Sequence, residues 1–157
     1  MQVVPVIFQQ FPRYERAVAS NDEVTALGLA RVFSHMCEAY VDLILGPQDM
    51  EQISLLRLAL TVFSHSDYTI ARKSLTFWFD LLTSMTDMQA ERKEETVMKF
   101  GPILIQLVDV CCKRMERGPM DEDDEVPPSN SDDPDNEEPN LSEFQEHRLV
   151  CLIFGFA

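Results

Sequence analysis

Apolar side chains return at helical spacing along most of the first 116 residues of the chain. In residues 66–85 they recur at steps of three and four, as on one face of a helix. Further aromatic and aliphatic residues widen this apolar surface, so the helix needs neighbours on at least two faces. The residues predicted to form the structural core, from this helix and from an earlier one, are Phe33, Leu75, Trp78 and Leu82.

Turn and capping signals divide the chain into five predicted helices. Ser66 is predicted to cap the third helix, and Gly46, which can adopt the left-handed conformation, to end the first. Pro102 predicts either a kink in the fourth helix or two shorter helices that meet there. In residues 1–20, the apolar run from Val3 to Phe8 is either the end of a helix or a buried extended piece, and residues 11–18 then have helical spacing. The predicted helices cover approximately 22–45, 49–64, 67–85, 89–116 and 141–155.

The spacing of these helices predicts a repeat. Helices begin near Asn21 and near Ser66, 45 residues apart, and each is followed by a second helix. Two helices in 40–47 residues are typical of HEAT units. We therefore predict an all-α fold in which residues 1–157 form two to three antiparallel HEAT-like helix pairs, stacked in an α-solenoid. The third unit would begin near Asn140, after an insertion in the connection between repeats.

The predicted insertion is an acidic segment, residues 117–139. It carries too few apolar side chains to offset the entropy of ordering, so we predict a disordered loop. Ten of the chain's 27 acidic residues lie between positions 121 and 138, with no lysine or arginine among them. The loop is either a solvated linker or an electrostatic attractant for a basic partner. The candidate partner-binding residues are Asp121, Glu122, Asp123, Asp124, Glu125, Asp132, Asp133, Asp135, Glu137 and Glu138.

No pattern of polar residues predicts catalysis. Ser34–His35 and Ser64–His65 contain a hydroxyl beside an imidazole, but neighbouring residues on a helix point in different directions. No GxSxG elbow and no phosphate-binding glycine loop accompanies them. We therefore expect a protein that is not an enzyme and that needs no cofactor.

The cysteines and the apolar runs indicate the compartment. Cys37, Cys111, Cys112 and Cys151 lack CxxC spacing, so buried free thiols are predicted rather than a metal site. The start of the chain does not have the form of a secretory signal, and no run approaches the length of a membrane span. The sequence contains no cluster of basic residues of the kind that binds nucleic acid. We expect a soluble, intracellular protein without membrane insertion or direct nucleic-acid binding.

Three stretches of the chain share a pattern with one family of helical-repeat proteins. The most specific is 11–45, which contains RVF at 31–33 and EAY at 38–40. The second is 65–79, with a Phe-Trp pair near its end, and the third is 141–148, which follows the acidic segment. Together they resemble the importin-β (karyopherin) superfamily, nearest to its transportin-SR branch, over roughly residues 11–149.

The resemblance implies a non-enzymatic protein-binding scaffold that is part of a nuclear transport receptor. In that family the GTPase Ran governs cargo loading, and phenylalanine-glycine nucleoporins bind grooves between outer helices. The transportin-SR branch imports proteins with Arg/Ser-rich domains, so the expected receptor shuttles between nucleus and cytoplasm. Two to three mid-array repeats are implied, which leads us to expect a fragment or a truncated product of such a receptor.

Two other classes of protein stay open at this point. The first alternative is an unrelated helical-repeat adaptor whose acidic loop recruits a basic protein partner. The second is a closed helical bundle, either a small-molecule-binding protein or an enzyme, with a cavity beside Trp78 that the neighbouring aromatic residues could line. Aromatic residues at helical spacing are more often core than ligand site, so the bundle ranks last.

Overall fold

The computed structural model describes residues 3–46 and 51–116, and this part of the chain is helical, without a strand. The predicted all-α class is confirmed. The acidic segment, residues 117–139, and the predicted helix 141–155 lie outside the described residues. The helices are α1 (Val3–Ala19), α2 (Glu23–Ala39), α3 (Val41–Ile44), α4 (Gln52–Phe63), α5 (Tyr68–Ala71), α6 (Leu75–Thr86) and α7 (Ala90–Glu116).

Two helix pairs lie side by side. In the first pair, α2 and the short α3 pack against α4; in the second pair, α6 packs against α7. Between the pairs, α2 contacts α6 and α4 contacts α7, while α1 packs against α2. The first residues of α2 and α5, Glu23 and Tyr68, are 45 positions apart. The stacked two-helix units predicted from the sequence are therefore present, and each unit buries its apolar surface on the next.

Small side chains of α2 are buried against its neighbouring helices. Ala26 and Ala30 are almost completely buried. The spacing of Val24, Leu27 and Phe33 along the sequence predicts that Val24 also lines the apolar face of this helix. Val24 is instead 85% exposed, because it lies in the first turn of α2, where none of the described helices covers it. Whether an alanine is buried depends on the distance to the neighbouring helix. The spacing of apolar residues along the sequence does not specify that distance.

Two helix ends differ in detail from the sequence prediction. Asp67, and not Ser66, caps α5, since its carboxylate accepts the backbone N–H of Thr69 at 2.7 Å. Gly46 does not adopt the left-handed conformation. A Cβ atom there would lie 3.2 Å from the carbonyl oxygens of Asp42 and Leu43, so the close approach of the backbone explains the glycine.

Of the two longer predicted helices in this part of the chain, one is subdivided and the other is continuous. The stretch predicted as one helix over 67–85 contains a 3₁₀ turn, Arg72–Ser74, between α5 and α6. By contrast, α7 passes through Pro102 as a single helix of 27 residues, which decides between the two alternatives for that region. The ambiguous N-terminal stretch forms one helix, α1, even though Pro12 lies inside it.

Candidate helix-binding surface

The helix α7 has an apolar face that is buried within the stack. Phe100, Ile103, Leu107 and Cys111 are all buried where α7 packs against α4 and α6. They follow one another at steps of three and four, so they lie on the same side of the helix. This face joins the second helix pair to the first.

A second apolar face lies beside the buried one. Met98 and Ile105 are 70% and 71% exposed, and they are seven residues apart, two turns along the same side of α7. Val97, Leu104 and Val108 are partly buried and connect these two residues to the core. We call these five residues the open face of α7. An apolar helix surface of this kind is suited to another helix or to an extended peptide.

Two arginines hold α7 against the first helix pair. Nη2 of Arg114 donates to the carbonyl oxygens of Phe63 (2.8 Å) and His65 (2.7 Å), and Nη2 of Arg92 donates to that of Leu45 (2.8 Å). These carbonyls lie at or just beyond the carboxyl ends of α4 and α3, where the helix dipole favours a cation. The contacts therefore fix how the open face is oriented relative to the first pair.

Sequence reasoning did not single out the open face or the two arginines. The seven-residue step from Met98 to Ile105 was visible in the sequence and could have indicated a second apolar face. No local signal could have indicated the arginine contacts, because Arg92 and Arg114 bind carbonyls 47 to 51 residues away.

The site residues predicted from the sequence fall into two groups. Phe33 and Trp78 are fully buried, and Leu75 and Leu82 are nearly so, in the region where α2 packs against α6. The ring of Trp78 lies 5.1 Å from that of Phe77, and its indole N–H has no hydrogen-bond partner among the described residues. The ten acidic residues between 121 and 138 lie outside the described residues.

The first serine–histidine pair does not form a nucleophile and base. Ser34 is buried on α2, whereas His35 is exposed. The imidazole Nδ1 of His35 lies 3.0 Å from a carboxylate oxygen of Glu38, one turn along the helix. The hydroxyl and the imidazole thus face different environments.

The second serine–histidine pair, Ser64–His65, forms hydrogen bonds with backbone groups. The hydroxyl of Ser64 donates to the carbonyl oxygen of Leu60 at 2.7 Å, and Nδ1 of His65 accepts the N–H of Asp67 at 3.0 Å. Among the described residues, no group of three His, Cys, Asp or Glu side chains could hold a metal ion. Nor does that part of the chain contain a helix long and apolar enough to span a membrane.

Two titratable side chains are buried, Tyr14 on α1 and Cys37 on α2. Burial raises the pKa of Tyr14 to about 12, and its ring lies edge-on to the rings of Phe33 (5.8 Å) and His65 (6.4 Å). Burial, with a smaller effect from the charge of Glu38, also raises the pKa of Cys37 to about 12. Both groups are therefore neutral at physiological pH, and the Cys37 thiol is a packing group rather than a nucleophile.

The stacked pairs and the second apolar face of α7 together define a helical-repeat protein. Residues 21–114, which cover both helix pairs, match the family model described as the Transportin-3/Importin-13 second TPR domain. The match covers well over half of the chain, so the chain belongs to this family, a domain of importin-β-type nuclear transport receptors. No curated protein and no solved structure matches the chain.

The repeat length differs from the one that the family description suggests. Tetratricopeptide units repeat about every 34 residues, whereas HEAT units repeat about every 40–47. The first residues of α2 and α5, Glu23 and Tyr68, are 45 positions apart. The helix pairs of this chain thus have the spacing of HEAT units.

Proposed function

We propose that the chain is a non-enzymatic, protein-binding part of a nuclear transport receptor that imports protein cargo through the nuclear pore under the control of Ran. The observation that carries this proposal is the family match over both stacked helix pairs. Stacked helix pairs present long surfaces between and along their units, and such surfaces bind proteins. The receptor would shuttle between nucleus and cytoplasm.

The proposed partners follow from the resemblance to the transportin-SR branch and from the charge of the chain. The formal net charge is −14, and ten acidic residues are concentrated between positions 121 and 138. A cargo with an Arg/Ser-rich domain has the opposite charge, so its encounter with this segment would be accelerated at low salt. Phenylalanine-glycine nucleoporins, by contrast, would bind through apolar contacts between helices.

The proposal is tested by binding of three ligands to the purified chain: Ran with a GTP analogue, a phenylalanine-glycine repeat peptide and an Arg/Ser peptide. We expect the Arg/Ser peptide to bind with a Kd below about 100 µM and to weaken as salt screens the charges. Binding of the phenylalanine-glycine peptide should change little with salt, because apolar contacts are not screened. A Gly/Ser peptide of equal length is the control, and failure of all three ligands would contradict the proposal.

An adaptor that recruits a basic protein is the second candidate, because the run of ten acidic residues contains no basic residue. Replacing the ten acids by Asn and Gln separates the two functions. If the wild-type chain binds only the Arg/Ser peptide, and the neutralised chain binds none of the three ligands, the adaptor is favoured. If Ran or the nucleoporin peptide binds both chains equally, the transport receptor is favoured.

A further inference from the structure

We propose that a proton on His65 switches the start of α5 between two arrangements, because it transfers the carboxylate of Asp67 from the N–H of Thr69 to the imidazole. The structure shows the arrangement that a neutral imidazole permits. This inference goes beyond the proposed function, since it concerns the response of the fold to pH and requires no transport partner. Its first support is the position of His65, between the end of α4 and the start of α5.

The imidazole of His65 accepts a backbone hydrogen bond. The N–H of Asp67 donates to Nδ1 at 3.0 Å, and the ring is half-buried. A ring nitrogen accepts a hydrogen bond only while it carries no proton, so the proton of the neutral ring is on Nε2. The carboxylate of Asp67 accepts the N–H of Thr69 at 2.7 Å and thereby caps α5. The two hydrogen bonds of Asp67 therefore coexist only with an uncharged imidazole.

A proton added at Nδ1 of His65 is incompatible with this arrangement. Both ring nitrogens of an imidazolium are donors, so Nδ1–H would face the N–H of Asp67, which is also a donor. Asp67 carries a carboxylate as well, and rotation of its side chain can bring an oxygen to the ring. The new hydrogen bond joins two charged groups, so it is stronger than the bond that it replaces. Because both carboxylate oxygens move with the side chain, the N–H of Thr69 loses its acceptor.

The groups around His65 indicate that Asp67 responds to the proton. From α1, the ring of Tyr14 lies edge-on at 6.4 Å, and its hydroxyl is neutral near pH 7 because burial raises the pKa of Tyr14 to about 12. From α2, the apolar ring of Phe33 lies against Tyr14. From α7, Nη2 of Arg114 donates to the carbonyl oxygen of His65 at 2.7 Å. A neutral phenol and a cation cannot balance an imidazolium, whereas the carboxylate of Asp67 can.

The switch would act where α1 and both helix pairs meet. The ring of His65 contacts α1, its carbonyl oxygen binds α7, and α5 begins three residues later. Histidine side chains change charge between about pH 5 and 8, so mild acidification is enough to add the proton. Loss of the cap frees the first turn of α5, a helix of only four residues. Acidification would therefore loosen the turn that joins the first helix pair to the second.

The test is an NMR titration of the full chain from about pH 8 to pH 5, which follows the ring nitrogens of His65 and the amide of Thr69. We expect the amide proton of Thr69 to move upfield with the same midpoint as the protonation of His65, because it loses its acceptor. Exchange of this amide, corrected for the intrinsic effect of pH, should become about fivefold faster, as for loss of one helix cap. A Thr69 amide that stays unchanged while His65 takes up its proton would overturn the proposal.

Two substitutions at the switch separate it from other effects of pH. In His65→Asn, the side-chain oxygen can accept the N–H of Asp67 and does not titrate, so Thr69 should keep its cap throughout. In Asp67→Asn, an acceptor for Thr69 is retained but the carboxylate is gone, so the Thr69 amide should no longer follow the pH. Amide signals of α4 and α6 that stay in place show that each variant is folded. A Thr69 response that persists in either variant would contradict the proposal.

The other described histidine with a carboxylate neighbour provides the matched control. Nδ1 of His35 lies 3.0 Å from a carboxylate oxygen of Glu38 on the exposed face of α2. His35→Asn removes a titrating imidazole there and should leave the titration of Thr69 intact. Loss of the Thr69 response in His35→Asn would also overturn the proposal. Binding of Ran, nucleoporins or cargo does not enter these measurements, so the proposed function can fail independently.

Discussion

The guanidinium of Arg114 donates a hydrogen bond to the carbonyl oxygen of Phe63 at 2.8 Å and lies 5.2 Å from the centre of the same residue's ring. The two residues are 51 positions apart, on α7 and at the end of α4. The Arg114 side chain, on the second helix pair, therefore bonds the backbone carbonyl of Phe63 and also covers its ring, at the end of α4 in the first pair. The pairs are joined by polar contacts as well as by apolar packing.

Replacing Arg114 should destabilise the stack. We expect Arg114→Met to lower the free energy of unfolding by about 2–3 kcal/mol, because the carbonyls of Phe63 and His65 lose a charged donor. Urea denaturation measures this change. Lys113→Met is the matched control, since Lys113 pairs with the exposed Asp109 and its loss should cost less than about 1 kcal/mol. Equal losses in both variants would show that the contacts of Arg114 contribute nothing.

The contribution of Trp78 should come from its volume and not from its N–H group. Trp78 is fully buried, and its indole N–H has no acceptor among the described residues. We expect Trp78→Phe to cost about 1–2 kcal/mol and Trp78→Ala about 3–5 kcal/mol in the free energy of unfolding. Urea denaturation followed by circular dichroism compares the two variants. A Trp78→Phe variant as unstable as Trp78→Ala would reveal an essential hydrogen bond.

Stability should decline in alkaline solution. The folded chain raises the pKa of Cys37 from 9.0 to about 12 and that of Tyr14 from 10.0 to about 12, chiefly because both groups are buried. The raised values favour the neutral forms, so their contribution is complete below about pH 9. It is lost as the pH rises towards 12, with a slope of at most about 1.4 kcal/mol per pH unit for each group.

Two variants identify the groups responsible for this alkaline decline. Tyr14→Phe should reduce the slope between pH 10 and about 12, and Cys37→Ala should reduce it from pH 9.0 upward. Denaturation midpoints at a series of pH values provide the measurement. If both variants keep the slope of the wild-type chain, the decline has another origin.

The start of α2 should be sensitive to acid. The carboxylate of Asp22 accepts the backbone N–H of Thr25 at 3.1 Å, and hydrogen bonds from Thr25 hold the pKa of Asp22 below its usual value of 3.8. A lowered pKa contributes stability above about pH 4, which is lost as the pH falls through the folded value. Asp22→Ala should lower the Tm at pH 7, whereas Asp22→Asn retains an acceptor and should stay near the wild type. A Tm that Asp22→Ala leaves unchanged would show that the cap is dispensable.

Much of the fold could be predicted from the spacing of apolar residues. The 45-residue step between the starts of α2 and α5 indicated two-helix units, because each unit repeats the same amphipathic pattern. Trp78 could be assigned to a buried helix for the same reason. Val24 could not be assigned correctly, since apolar spacing continues into a turn that no described neighbour covers.

The candidate surface was less predictable than the fold. The two apolar faces of α7 can be identified from the sequence. The positions of α4 and α6 determine which of the two faces is buried. The contact between Arg92 and Leu45 likewise depends on the stacking of the two pairs, because it joins residues 47 positions apart.

The all-α class and the division into helix pairs can be read from the sequence, because helix formation and amphipathic periodicity depend on residues within a few turns of one another. By contrast, the burial of Phe100, the exposure of Ile105 and the contact of Arg114 with the end of α4 become visible only when the helices are packed together. These outcomes depend on the distance between helices that are far apart in the chain, and local periodicity carries no information about that distance.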